Sequence, residues 1–232
     1  MRILFTTILF ITMQVVVAQT TLTINFLNTA SGKPVTLRDS TYTNPHGEEY
    51  TIKKLRYYIG SPGAGAYENR EQYFLIDQAG NTSIKTGVRP GTYNSVSFLL
   101  GVDSILNCSG AQDGALDPMN DMFWTWNTGY VMFKLEGTSP ASKGDLNRIE
   151  HHIGGYRAGQ KVATTITVPV TEFTVKEGEN IEVNLNMELD RYWNGVVPVK
   201  ISETALCMSP GETALYLSSN FPGLFRESTT TN

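Results

Sequence analysis

The sequence predicts an all-β protein, an antiparallel two-sheet β-sandwich of Greek-key or jelly-roll type closed by an irregular C-terminal strap. Three observations predict it. Apolar residues alternate with polar ones along several short runs. Turn-forming clusters separate those runs, and no stretch has the repeat of a long amphipathic helix.

The runs come in order. Leu22, Ile24 and Phe26 share one face, with Thr23 and Asn25 on the other. Leu55, Tyr57 and Ile59 repeat the pattern, and Val96, Phe98 and Leu100 repeat it again. Val131, Phe133 and Leu135 oppose Met132 and Lys134. Val162 to Val168 and Ile181 to Leu189 complete the set. Each reads as a half-buried strand, because side chains in a strand alternate between faces. Gly32-Lys33-Pro34, Arg89-Pro90-Gly91 and Glu177-Gly178-Glu179-Asn180 are turn chemistry. The run Ser61 to Ala66 is expected as a surface loop.

Residues 1–18 read as a secretory signal peptide. Met1-Arg2 precedes a short apolar run, and Val16 and Ala18 supply the small residues before a cut ahead of Gln19. The run is too short for a retained span, and no later stretch is long and apolar enough to cross a bilayer. The expected product is exported to a periplasmic or extracellular space. Residues 19–224 then form one sandwich domain, with 195–224 as the strap and 225–232 as a disordered tail. The chain has 22 Asp and Glu against 18 Lys and Arg, and Arg2 leaves with the leader. That mildly acidic balance gives no footing for nucleic-acid binding.

Cys108 and Cys207 are the only cysteines. In an exported chain a lone pair predicts a disulfide, here tying the 101–113 loop to the strap. Closing a loop of about 100 residues would stabilise the fold by roughly 4–5 kcal/mol in the chain-entropy model.

The segment Asp117-Pro118-Met119-Asn120-Asp121-Met122-Phe123-Trp124-Thr125-Trp126-Asn127-Thr128-Gly129-Tyr130 carries the most chemical information. Trp124 and Trp126 are two apart, so on a strand they share a face where a loop enters the sheet. Such a pair is either core or an aromatic wall of a binding site. Adjacent His151 and His152 point to opposite faces of a strand, so one of them at most enters a given pocket unless Gly154-Gly155 bends the chain. His46 lies in the turn-rich stretch Tyr42 to Glu48. Met119 and Met122 are soft thioethers, which with imidazole favour copper over hard ions, although methionine more often fills gaps in cores. Asp117, Asn120 and Asp121, with Asp103 and Asp113, offer oxygen donors suited to Ca²⁺, but the spacing is not that of an EF-hand. No Gly-x-Ser-x-Gly elbow, His-Glu-x-x-His pair or phosphate-binding glycine loop is present, so no catalytic activity is expected.

Several segments in order carry a family resemblance: Tyr50 to Ile59, Gly101 to Ser104, Leu116 to Asn120 running into Met122 to Tyr130, and His152-Ile153-Gly154-Gly155. With them the chain resembles the MbnP-like exported copper-binding proteins, associated with methanobactin operons and also found apart from them. The resemblance implies a β-sandwich that binds or sequesters copper without catalysis. It implies histidine nitrogen ligands, and a tryptophan oxidised to kynurenine by a di-haem peroxidase-like partner. His152 falls in the matching histidine segment and Trp124 or Trp126 in the matching tryptophan segment. Trp126 is the favoured position, since Asn127 and Thr128 beside it are polar. The second ligand is left open between His46 and a methionine. The competing reading is a surface module that binds a non-metal ligand against Trp124, Trp126, Tyr130 and Tyr156.

Overall fold

A computed structural model describes residues 19–126 and 129–228. The expected signal peptide, Asn127 and Thr128 lie outside these residues.

The elements run in order as β1 (Thr21–Ala30), β2 (Lys33–Pro34), β3 (Thr41–Thr43), β4 (Glu49–Ala64), β5 (Tyr73–Asp77), β6 (Ser83–Gly87) and β7 (Gly91–Leu100). A loop region follows, containing helix α1 (Ser104–Cys108) and ending in β8 (Phe123–Trp124). Next come β9 (Gly129–Thr138), β10 (Arg148–Gly154), β11 (Thr164–Val175) and β12 (Asn180–Glu188). The C-terminal part holds α2 (Leu189–Trp193), β13 (Leu206–Cys207), α3 (Glu212–Ser218) and β14 (Phe225–Glu227).

Two sheets form. One has the order β14-β12-β1-β2, with β6 also paired to β1. The other has the order β11-β7-β4-β9-β10-β13, with β3 and β5 on β4 and β8 on β9. The predicted runs are present, and their apolar faces meet between the sheets, except that a bulge in β9 puts Met132 into the main core and Val131 into the cluster on the outer face, the reverse of the alternation expected there. Leu22, Ile24 and Phe26 pack there with Leu55, Tyr57, Ile59, Phe98 and Leu185. Phe26 sets its ring edge-on to Tyr57, Phe98 and Phe225 at 5.9–6.1 Å, the geometry that the ring quadrupole favours.

The sheets are mixed, which corrects the expected antiparallel sandwich. β1 and β12 pair in parallel over Thr21↔Asn180 to Thr29↔Glu188, and β10 and β13 pair in parallel. β12 does not reach β1 through a hairpin. It enters from β11 in the other sheet by the turn at 176–179, so it runs alongside β1 in the same direction.

Three further expectations change. Ser61 to Ala64 is the buried end of β4, not a surface loop, and Gly63 and Ala64 pair with Ser97 and Val96 across a bulge. Residues 225–227 form β14 on β12, and Phe225 is buried, so the tail is ordered at least to there. The strap is partly regular, with α3 burying Ala214 and Leu217.

The expected disulfide is absent: both cysteines are free. Cys207 belongs to the main core, whereas Leu106 in α1 packs on the second cluster, over the opposite face of the sheet. The sheet thus separates the elements that carry the two sulfurs. The strap is held instead by Glu48, whose carboxylate accepts from the Ile201 and Ser202 amides at 2.7 and 2.9 Å.

Candidate functional site

The outer face of the β4–β9–β10 sheet carries the candidate site. Alternation sends Tyr57 and Phe133 to the main core, and so sends Lys54, Arg56, Tyr58 and Lys134 outward, and beyond the β9 bulge Tyr130 and Val131 join the outer face. The Val102 to Trp126 segment folds over this face. Leu116, Met122 and Trp124 from it enclose Tyr58 and Tyr130 in a second small core.

The segment is pinned by its own polar residues. Asp103 caps α1, accepting from the Ile105 and Leu106 amides at 2.8 and 2.9 Å. Asp117 caps the turn Pro118–Asn120 by accepting from the Met119 amide. Asn107 Oδ1 accepts from the Tyr130 amide at 2.9 Å, and the Tyr130 hydroxyl donates to Leu116 O at 3.0 Å. Asp121 sits in the left-handed region at φ 58° and pairs with Lys54 at 2.6 Å and Lys134 at 3.1 Å. Arg56 reaches Asn120 O at 2.8 Å. Of the acidic residues singled out for Ca²⁺, Asp103 and Asp117 thus act as caps and Asp121 as a lysine partner. Among the described residues no group of three His, Cys, Asp or Glu is placed to hold a metal ion.

Lys134 is only 3 % exposed. Burial pushes its ammonium below the usual lysine range, against the upward pull of Asp121. Burial works to raise the Asp121 carboxyl, but hydrogen bonds from Lys54 and Lys134 outweigh it and leave the group below its ordinary value.

β8 delivers the tryptophans. Its two residues pair Phe123↔Tyr130 and Trp124↔Gly129, and the strand then gives way to a turn at Thr125 and Trp126. The pair therefore does not share one strand face, but the rings still meet, with centroids 5.6 Å apart. Trp124 is 7 % exposed and Trp126 is 65 % exposed.

β10 delivers the histidines and the glycines. Trp124 lies against Gly154, where a Cβ would stand 2.7 Å from Trp124 Cζ3 and 2.5 Å from Tyr130 O. Only glycine admits the indole there. Gly155 has φ 143°, which also favours glycine. The register slips opposite Ile153 and Gly154 because β9 carries the extra residue, Met132, so the bulge lies on the partner strand and not at the glycines.

His151 and His152 take opposite faces, as alternation requires. His151 is fully buried in the main core. Its Nδ1 accepts from the Tyr192 hydroxyl at 2.6 Å, and its Nε2–H donates to Thr204 O at 2.7 Å. Burial lowers its pKa from 6.5 to about 4, which keeps it neutral. His152 pairs across the ladder with Lys134 on the outer face, and its Nε2–H donates to Glu136 at 2.9 Å. That bond is the first cause of the Glu136 carboxyl lying below its ordinary value, and burial opposes it.

The sequence-predicted residues divide accordingly. Trp124 and Trp126 meet at the Gly129 end of β9, and Trp124 rests on Gly154, two positions along β10 from His152, which pairs with Lys134 at mid-strand. Met122 is near them but fully buried in the second core, and Met119 is 88 % exposed. His46 does not join them. It sits in the turn between β3 and β4, at the Thr138 end of β9, where its Nε2–H donates to Trp193 O at 2.9 Å. Trp124 pairs at the Gly129 end of that 10-residue strand, so about 30 Å of sheet separates the two. Sequence reasoning missed Glu136, Lys54 and Lys134. A lysine and a glutamate at alternate positions of an apolar strand, facing the same way as a histidine, were the available signal.

The chain's likenesses agree with this architecture. It resembles a solved structure, MbnP from Methylosinus trichosporium, with 15 % sequence identity and a TM-score of 0.50, over 79 % of this chain and 80 % of that one. At that identity the likeness concerns the fold. No curated protein matches the chain. The family model described as MbnP matches residues 19–209. Covering most of the sequence, that match places the chain in the MbnP family.

Proposed function

We propose that the protein is an exported copper-binding protein that holds or sequesters the metal without catalysis, at the place where His152 and the tryptophan pair adjoin. One observation carries the reading: Gly154, having no Cβ, seats Trp124 against the strand of His152, so the two most specific segments of the sequence form one locus. His152 is the nitrogen ligand in this reading. Its Nε2 is engaged by Glu136, which leaves Nδ1 as the donor.

A single imidazole does not complete a copper site, and no trio of conventional ligands stands beside it among the described residues. A tryptophan oxidised to kynurenine would add an aryl amine and a carbonyl, donors that indole lacks. Trp126, being exposed, is the position open to an oxidising partner protein, whereas Trp124 is enclosed. We therefore assign the modification to Trp126. The net change is loss of one carbon and gain of one oxygen, readable by peptide mass spectrometry on protein from its native host.

Anaerobic titration of the mature protein with Cu(I), in competition with a chromogenic chelator, tests the reading. Binding that is lost in His152→Ala and kept in His46→Ala is the expected result. No binding above background, or full binding in His152→Ala, would overturn the assignment. The exposure of Trp126 favours a second reading, an aromatic contact surface for a non-metal ligand, and that reading gains if copper fails to bind.

A further inference from the structure

We propose that Glu136 is the positioning residue of this site: it holds the Nε2–H of His152, so the ring presents Nδ1 as its lone-pair donor. The inference rests on the reading of His152 as a ligand, but its structural half stands apart from any metal. Glu136 Oε1 accepts from His152 Nε2 at 2.9 Å, with Lys134 Nζ at 3.9 Å from the same oxygen. Oε2 faces Lys54 Nζ at 3.5 Å. Both oxygens are thus engaged by protein cations or N–H groups. The carboxylate is held in place by its partners and is not free to turn and ligate an ion itself.

The neutral imidazole has one N–H and one lone pair, and the hydrogen bond made by one nitrogen decides the role of the other. An ionised carboxylate accepts only, so Nε2 carries the proton and Nδ1 does not. This is the arrangement of a carboxylate–histidine–metal relay, in which the outer acid fixes the tautomer and raises the basicity of the ligating nitrogen.

The same lysines connect the acid to the tryptophans. Lys54 and Lys134 each bind Asp121, which lies on the segment that carries Trp124 and Trp126. Strand β9 therefore holds the two halves of the site from a single alternate pair, Lys134 and Glu136. Lys134 docks the loop and Glu136 orients the histidine. Lys134 is nearly completely buried, so Asp121 and Glu136 supply its ionic partners in place of water.

The test reads the His152 tautomer directly in metal-free protein. Long-range ¹H–¹⁵N correlation spectra of the wild type, recorded at about pH 8.5, roughly two units above the model-peptide imidazole value, are expected to show protonated Nε2 and pyridine-like Nδ1. Glu136→Ala is expected to give a mixed tautomer, and Glu136→Gln, which keeps an acceptor oxygen, to restore the wild-type one. Cu(I) affinity is expected to fall about 10–100-fold in Glu136→Ala and to recover in part in Glu136→Gln. Circular dichroism melting of each variant establishes that it is folded. A wild-type ring protonated on Nδ1, or a tautomer unchanged in folded Glu136→Ala, would overturn the proposal. Copper affinity unchanged in Glu136→Ala would overturn it too. If the tautomers behave as expected while the wild type binds no copper, the positioning by Glu136 stands and the copper reading falls.

Discussion

Replacing Gly154 by alanine tests how the site is assembled. A Cβ at this position would lie 2.5 Å from Tyr130 O, 2.7 Å from Trp124 Cζ3 and 3.0 Å from Trp124 Cη2. Comfortable carbon contacts begin at about 3.5 Å, so both Trp124 and the β9 backbone must retreat, by about 1 Å in all, from the added carbon. The Tyr130 carbonyl is held by the β9–β10 ladder and cannot turn away freely, so the β9 backbone and the indole must both shift, and the second core around Tyr58 and Met122 opens with them. Overpacking of this kind costs about 1–3 kcal/mol. Gly→Ala also narrows the unfolded ensemble, which stabilises by about 0.4–1 kcal/mol. The net expectation is a loss of about 1–2 kcal/mol, or a fall of roughly 2–8 °C in melting temperature for a domain of this size. Urea unfolding by circular dichroism measures the loss, and tryptophan emission shifts to the red as Trp124 gains solvent. Stability at or above wild type with unchanged emission would refute the packing of Trp124 on Gly154.

Other outcomes follow from named groups. His151 has a folded pKa of about 4 against an ordinary 6.5, so the unfolded chain takes up the proton first, and stability falls as pH drops from about 6.5 toward 4. Between pH 7 and pH 5 the expected loss is about 2 kcal/mol, seen in urea midpoints and flattened in His151→Gln; an equally steep loss in that variant would exclude His151 as the cause. Burial raises the Cys207 thiol to about 11, and Cys108 is exposed, so native protein without reductant should alkylate at Cys108 only, and at both sites once unfolded. Intact mass showing neither site modified after unfolding would reveal the disulfide instead. His46→Ala should lose about 0.5–1.5 kcal/mol with its bond to Trp193 O while leaving copper affinity unchanged, which paired melting and titration experiments check.

The strands were legible because each buries one face, which period-2 alternation records directly. Strand direction was not. Nothing in Ile181 to Leu189 says that it reaches β1 by crossing from the other sheet, so the parallel pairing stayed hidden. The buried end of β4 was misread because Ser61-Pro62-Gly63-Ala64 has turn composition, while its small residues are what allow the strand to bulge against β7. At the site, the glycines beside His152 and the tryptophan pair were readable as a unit. Alternation alone put His151 and His152 on opposite faces, but which of them enters the core was decided by the register of β10, which the sequence does not show. The place of His46 could not be read, since it depends on which end of the sheet the β3–β4 turn occupies. Glu136 and Lys134 were passed over because the partners that give them meaning, His152 and Asp121, are distant in sequence and meet only across the ladder and the covering loop.

The location of the metal is the central claim, and anomalous scattering at the copper edge from crystals of native-host, Cu(I)-loaded protein measures it most directly. One peak is predicted within bonding distance of His152 Nδ1 and beside the Trp124–Trp126 pair, with Glu136 still on Nε2. A peak at His46 or Met119, or none at His152 in protein shown to carry copper, would contradict the account.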